Sequence, residues 1–364
     1  MKKKCDFPLA IVITVFIILG LFVLTSASLN ISSERFGQPY YYIFHQIIFG
    51  LIPGIIFLFL GYKFNYRNWK KFSLPLMIIA IILMSLVLFV PKLSFFYGGA
   101  KRWLSYGFIS FQPSEFLKFA FVLYLASWFE KRPNNISSFK FGLLPFAIMS
   151  GFVASFLILQ PDIGTLFVLL LVVFSLFFLS GGKIKQMTTL ILTTLGILCI
   201  LVAAEPYRLS RILVFINPSH DIVGSGYQLN QGLISIGSGG IFGKGFGLST
   251  QKTGFLPEVI GDSIFAIVAE ELGFVGGIFL IFILLFIFFR GVYVVNMVRD
   301  NFGKLLGIGI LLIIIFQATI NVAAISGLIP LTGIPLSFIS YGGSALAIMM
   351  GEMGIFLNIS KNMG

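Results

Sequence analysis

Four carboxylates gather in one short part of an otherwise apolar chain. Glu258 and Asp262 lie in Leu256-Pro257-Glu258-Val259-Ile260-Gly261-Asp262-Ser263, and Glu270 and Glu271 follow inside the next apolar run. Ionisable groups at membrane depth are costly and face a polar interior or a partner. A carboxylate in poorly hydrated surroundings has its pKa raised towards the range useful for proton abstraction. Asp262 stands where a polar loop meets an apolar run, which makes it the candidate catalytic base, with Glu258 a candidate substrate contact beside it. The structural alternative is an acid that caps the helix and complements its dipole. Glu270 and Glu271 point about 100° apart on a helix and cannot share one partner. One is expected to be paired and the other to sit near a helix end or a cavity.

A second set of candidates is basic. Lys101 and Arg102, in Gly98-Gly99-Ala100-Lys101-Arg102-Trp103, could hold an anionic head group such as a diphosphate, or could anchor the chain at an interface with Trp103. Arg208, Arg211 and Lys252 are further clamp candidates. Glu115 and Lys118, in Gln112-Pro113-Ser114-Glu115-Phe116-Leu117-Lys118, are spaced to pair on one helix face. They are candidate substrate contacts, or two buried charges that neutralise each other. Ser340 completes the set, on a stretch from 327 to 344 broken by prolines and glycines. Irregular backbone at membrane depth must be buried in protein or line a wet cavity, so this stretch is expected to form a second wall of the Asp262 site. Asp162 is expected to cap the helix that follows it. The glycine-rich run 237–245 lacks the Gly-Lys-Ser/Thr ending of a nucleotide loop. Two histidines, His45 and His220, and two cysteines, Cys5 and Cys199, stand far apart and suggest no metal site or disulfide.

The elements that must position these residues are membrane spans. Of 364 residues, 58% are hydrophobic and 10% charged, a balance that excludes a soluble domain. Apolar runs at about 7–24, 44–60, 73–90, 111–129, 142–159, 163–179, 187–203, 264–289, 305–325 and 336–359 give an all-α integral membrane protein of ten spans, a single polytopic unit over 1–364. One long loop, about 205–262, separates spans seven and eight, and connections of that length tend to carry function. With the N-terminus inside, basic residues favour the cytoplasmic segments by about two to one, which places both termini in the cytoplasm and the long loop outside. The net charge of +12 follows from this asymmetry and not from a nucleic-acid partner. No short repeat or inverted pair of halves is evident, which weighs mildly against a transporter.

The motifs above bring in a family. Gly99-Ala100-Lys101-Arg102-Trp103, Gln112-Pro113-Ser114-Glu115, Gln160-Pro161-Asp162-Ile163-Gly164-Thr165, Asn217-Pro218, Gly226-Tyr227-Gln228, Leu256-Pro257-Glu258 with Asp262, Glu270-Glu271-Leu272-Gly273 and Ile339-Ser340-Tyr341-Gly342-Gly343-Ser344 resemble, in order, the SEDS family of RodA, FtsW and SpoVE. The resemblance implies a ten-span fold and a peptidoglycan glycosyltransferase that polymerises lipid II at the outer face of the cytoplasmic membrane, with the family's essential aspartate at Asp262. The family usually carries His-Thr before that aspartate where this chain has Ile260-Gly261, so any hydrogen bond from those two side chains is missing. Gly224-Ser225-Gly226-Tyr227-Gln228 and Ser249-Thr250-Gln251-Lys252 resemble the division branch, FtsW, more than the elongation branch, RodA. The implied partner is a class B penicillin-binding protein, a transpeptidase, joined at the septum by other divisome membrane proteins.

In the implied chemistry, Asp262 takes the proton from the acceptor sugar hydroxyl while the donor's diphosphate leaves. A divalent cation, magnesium or manganese, could assist the basic residues. A lipid II flippase is the rival from another class, and Glu270, Glu271 and the Glu115–Lys118 pair are the features that favour it. A non-catalytic scaffold for the transpeptidase is the third reading.

Overall fold

The computed structural model describes residues 5–97, 100–107, 109–217, 221, 224 and 226–363. Lys2, Lys3, Lys4, Gly98, Gly99, Pro218, His220 and Ser225, which carry parts of the charge and motif reading, lie outside the described residues. Every predicted span is helical. The first is α1 (Phe7–Phe36), and the second is α2 (Tyr41–Gln46) running through a π-helical turn at Ile47–Leu51 into α3 (Ile52–Lys63). Then come α4 (Tyr66–Phe89), α5 (Pro113–Glu130), a second π turn at Phe139–Leu143 leading into α6 (Leu144–Leu159), α7 (Ile163–Leu179) and α8 (Ile184–Ala203). The long loop holds α9 (Pro206–Ile216) and α10 (Tyr227–Ser238), and the chain ends with α11 (Ile264–Met297), α12 (Asn301–Ile325) and α13 (Gly343–Ser360). Eight of these stretches are long and apolar enough to cross a membrane, α7 is shorter, and α5 carries Glu115 and Lys118 in its first turns.

Local chemistry explains the irregularities. Each π turn runs into a proline at the start of the next helix, Pro53 or Pro145. Proline lacks an N–H and its ring crowds the carbonyl four residues back, and a widened turn relieves the clash. The prediction of a wholly helical chain needs one addition. The segment between α4 and α5 forms a small antiparallel sheet, β1 (Ser94–Tyr97), β2 (Ala100–Tyr106) and β3 (Ile109–Phe111), with Ser94 opposite Leu104 and Leu104 opposite Phe111. The last helix begins at Gly343 and not at Leu336, because the proline- and glycine-rich stretch before it stays irregular, with turns at 337–339 and Phe338 in the left-handed region.

The core lies among α5, α12 and α13, whose side chains are mostly buried, whereas α8 buries Leu190 alone among its described residues. Helix α1 turns Phe7, Ile11, Val15, Ile18 and Phe22 outward and Leu9, Ile13, Phe16 and Leu24 inward. Close approach of α3 and α13 depends on glycine. A Cβ on Gly354 would stand 2.2 Å from the Leu58 carbonyl oxygen, and small residues of this kind bring membrane helices together.

Helix α11, read from sequence as a plain span, is broken. Gly273 has φ 67° and ψ −165°, a conformation that only glycine adopts at low cost. The long loop supplies the hydrogen-bond partners lost at the break. Lys244 and Gly245 N–H groups donate to the carbonyls of Glu270 and Glu271 at 2.9 and 3.0 Å, and Phe274 and Val275 N–H groups donate to those of Gly240 and Ile241 at 2.9 and 3.1 Å. Two carbonyls and two N–H groups at the break thus find partners in the loop, as burial requires.

Candidate active site

Asp262 sits in the turn that delivers the long loop into α11. Ser263 occupies the N-cap position, so Asp262 is not the cap, and its carboxylate is engaged elsewhere. The Gln228 amide, from the first turn of α10, donates to Asp262 Oδ1 at 2.9 Å and to Ser263 Oγ at 3.0 Å. Asn321 of α12 donates to the Asp262 carbonyl at 2.8 Å and to the Ile334 carbonyl at 2.7 Å. The Ser340 hydroxyl donates to the Gly261 carbonyl at 2.6 Å, and the Tyr341 N–H to that of Ile260 at 2.8 Å. The stretch before α13 is therefore a wall against the Asp262 turn, as its broken pattern suggests. Gly333 of this wall lies beside the carboxylate, with 3.8 Å between Oδ2 and the place a Cβ would occupy.

Both sides of the site hold non-glycine residues in the left-handed region, Glu258 at φ +50° and Phe338 at φ +64°. Such residues cost about 1–3 kcal/mol each and persist only where surrounding contacts hold them. The Glu258 carbonyl accepts from the N–H groups of Gly261 and Ser263 at 2.9 and 3.2 Å, which closes the turn. On the other side, the Tyr341 hydroxyl meets His45 Nδ1 at 2.9 Å, tying this wall to α2.

Electrostatics single out Asp262. Loss of hydration, followed by the charge of Glu258, pushes its carboxyl from 3.8 up to about 7. Arg211 and the Gln228 hydrogen bond oppose that rise without cancelling it. The residue as a whole is only half-buried, so part of it stays exposed. A carboxylate that titrates near neutrality can accept a proton and return it, which a general base requires.

The other candidates distribute as follows. Glu258 and Arg211 act electrostatically on Asp262, and Arg211 also donates to the Leu331 carbonyl at 2.9 Å. Arg208 donates to the Leu201 carbonyl at 2.9 Å and Lys101 is exposed on β2. Arg102 reaches the carbonyls of Gln160 and Pro161, docking the sheet on the α6–α7 turn, where Asp162 caps α7 through the Thr165 N–H at 3.3 Å. Glu115 and Lys118 pair at 2.9 Å in the core, with both side chains 2% exposed. Lys252 donates to Glu271 at 2.7 Å, Ser26 Oγ at 3.0 Å and the Gly247 carbonyl at 2.8 Å.

Glu270 and Glu271 depart from the expectation that one would lack a partner. Each has its own lysine, Lys244 at 2.6 Å and Lys252 at 2.7 Å, because the two side chains diverge around α11 and the loop wraps both faces. Glu270 also accepts from Ser235 Oγ at 3.1 Å and the Thr250 N–H at 3.1 Å. It thereby fastens α10, the helix that carries Gln228.

Sequence reasoning missed Gln228 and Asn321 as parts of the site. Gln228 lay within a recognised motif without a role. Asn321 and Gln317, four residues apart in an apolar span, were the visible signal for polar groups on one buried face.

Comparison with known proteins agrees with this architecture. The profile of a cell cycle protein family comprising FtsW, RodA and SpoVE matches residues 7–363. Stage V sporulation protein E of Bacillus subtilis is 37% identical over 361 residues, covering 99% of this chain and 98% of its own. A probable peptidoglycan glycosyltransferase FtsW of Coxiella burnetii is 35% identical over 345 residues, covering 94% and 92%. Among solved structures, one reported under the structural coordination of polymerization and crosslinking by a peptidoglycan synthase complex superposes with a TM-score of 0.79 at 25% identity, covering 99% and 98%. The rod shape determining protein RodA of Thermus thermophilus superposes with a TM-score of 0.73 at 25% identity, covering 99% and 97%. This chain is a multi-pass membrane protein and belongs to the FtsW/RodA/SpoVE family of cell cycle proteins.

Proposed function

We propose that this protein is a peptidoglycan glycosyltransferase that polymerises lipid II into β-1,4 glycan strands at the outer face of the cytoplasmic membrane. Family membership and relatives named for that activity support the reading. The observation that carries it is Asp262, half-buried at the mouth of α11 and titrating near neutrality. Asp262 accepts the proton from the 4-hydroxyl of the acceptor N-acetylglucosamine. The freed oxygen pair bonds to C1 of the donor sugar, the C1–O bond to phosphate breaks, and the diphosphate lipid departs with that electron pair. Attack opposite the leaving group inverts the anomeric centre.

Arg211, next to Asp262, is the clamp residue best placed for the departing diphosphate, with Lys101, Arg102 and Arg208 towards the rim. Lys252, Glu115 and Lys118 are buried in ion pairs within the bundle and act on the site through the fold and not by touching substrate, and Ser340 and Glu258 shape the turn that carries Asp262. Among the described residues no three His, Cys, Asp or Glu side chains converge. Magnesium or manganese carried by the diphosphate would neutralise the leaving group, with Asp262 left free of the metal to take the proton.

Both termini lie in the cytoplasm in this reading, and the partner is a class B penicillin-binding protein within a septal assembly of other divisome membrane proteins. An elongation role of the RodA type is the alternative. A lipid II flippase is favoured by the deep Glu115–Lys118 pair, but that pair is already mutually satisfied. Glycan synthesis from lipid II by the purified protein, with and without its transpeptidase, tests the proposal. No polymer in either preparation, or polymer made at the unaltered rate by a folded Asp262→Asn variant, would overturn it.

A further inference from the structure

Helix α12 carries two amides one turn apart, Gln317 and Asn321, which are 0% and 2% exposed. An amide in an apolar core is costly unless its polar atoms are bonded. These two spend their bonds on adjacent residues of the wall. Gln317 Nε2 donates to the Pro335 carbonyl at 3.2 Å, and Asn321 Nδ2 donates to the Ile334 and Asp262 carbonyls. The Ser337 hydroxyl adds a bond to the Ile314 carbonyl at 3.0 Å on the same helix. Gly333, next to the held residue Ile334, brings the wall up to Asp262, where an added Cβ would stand 3.8 Å from Oδ2.

The orientation of the Gln317 amide is not fixed by the wall alone. A side-chain amide can turn over and exchange its donor and acceptor. Lys118 prevents this by donating to Gln317 Oε1, which leaves Nε2 facing Pro335. Lys118 is in turn held by Glu115 at 2.9 Å. If the amide turned over, two oxygens would face each other at Pro335 and the wall would have to move.

We propose that Gln317 is a positioning residue for the glycosyl transfer, through which the buried Glu115–Lys118 pair fixes the wall that seats Asp262. The inference rests on the catalytic reading of Asp262 given above. It assigns the ion pair a task beyond mutual neutralisation and places that task in a chain running Glu115, Lys118, Gln317, Pro335, with Asn321 parallel to it. Because the chain touches the seat and not the substrate, its loss lowers turnover and leaves substrate binding alone.

The test uses the full chain in the preparation in which the unaltered protein polymerises lipid II. Should the unaltered protein make no polymer, the catalytic reading fails before this one is reached. Gln317→Met keeps the volume and removes both hydrogen bonds. It should lower kcat about tenfold or more, with KM for lipid II unchanged and a single cooperative melt. Lys118→Met should give a similar loss, and the double variant should be no slower than the slower single one, because both cut one chain. Lys118→Arg, which keeps a cationic donor, should recover a large part of the rate. Losses that multiply in the double variant, a kcat equal to that of the unaltered protein in Gln317→Met, or a rise in KM in place of a fall in kcat would each overturn the proposal. If Lys118→Met fails to fold, the split between kcat and KM in Gln317→Met decides alone.

Discussion

Replacing Asp262 by asparagine should make the protein more stable while removing its activity, and the pH dependence of the gain can be worked out. In the fold the carboxyl releases its proton near pH 7, whereas in the unfolded chain it does so near 3.8. Between those values the folded state binds the extra proton, so stability falls as pH rises through the window and levels off above about 7. A shift of about 3 units corresponds to a penalty of about 4 kcal/mol at pH 8 and about 2 kcal/mol at pH 5.5. The asparagine variant escapes that penalty. Its advantage over the unaltered protein should therefore grow by about 2 kcal/mol between pH 5.5 and 8, less what weaker bonding to Gln228 gives back. Thermal or denaturant unfolding in detergent at the two pH values measures the difference, alongside polymer formation from lipid II, which should fall by about 10²–10⁴-fold. An advantage that does not change with pH would show that the carboxyl is not held neutral by its surroundings. The argument for its basicity would then fail, whatever the activity of the variant.

Three other outcomes follow from the same geometry. Glu258→Gln removes a like charge beside Asp262, so the acid limb of the pH–rate profile should move to lower pH; a limb that stays in place or moves upward counts against the coupling. Lys252→Met leaves Glu271 buried without its cation and should cost about 3–5 kcal/mol in unfolding experiments, whereas Lys252→Met with Glu271→Met should recover much of the loss. Gly273→Ala forces a side chain into the left-handed region and against the Gly243 nitrogen, 2.3 Å from the added carbon. The loop should come off α11, read as faster proteolysis between residues 240 and 250 at a lower temperature than in the unaltered chain.

The helical spans were legible because runs of apolar residues of membrane length leave few other solutions. Asp262 drew attention through its company, Glu258, Glu270 and Glu271, because an acid at the start of a helix is by itself well explained as a cap. The charge pair Glu115–Lys118 could be read from its spacing alone. The sheet over β1–β3 could not, since its stability comes from pairing across the hairpin and from Arg102 docked on a turn far along the chain. The partners of Glu270 and Glu271 were hidden for a similar reason. The lysines lie 26 and 19 residues away in a loop whose path depends on the break at Gly273, and a lone glycine in an apolar run does not announce a reversal of φ. Ser340 was chosen as a substrate contact, yet its hydroxyl lies on the Gly261 carbonyl, a role that only the folded wall reveals.

The interruption at Gly273 also has a mechanical meaning. An unbroken α11 pivoting near its inner end by about 5° would sweep its far tip through about 3 Å or more, since 24 residues already span about 36 Å. That excursion would carry Asp262 off any target it was aimed at. At the cut the loop holds both pieces, through the Glu270 and Glu271 carbonyls on one side and the Phe274 and Val275 N–H groups on the other, while Ser235 of α10 ties Glu270 and Asn321 of α12 ties Asp262. The joint is braced on both sides, so Asp262 takes its place from the loop and its neighbours and not from the far length of α11.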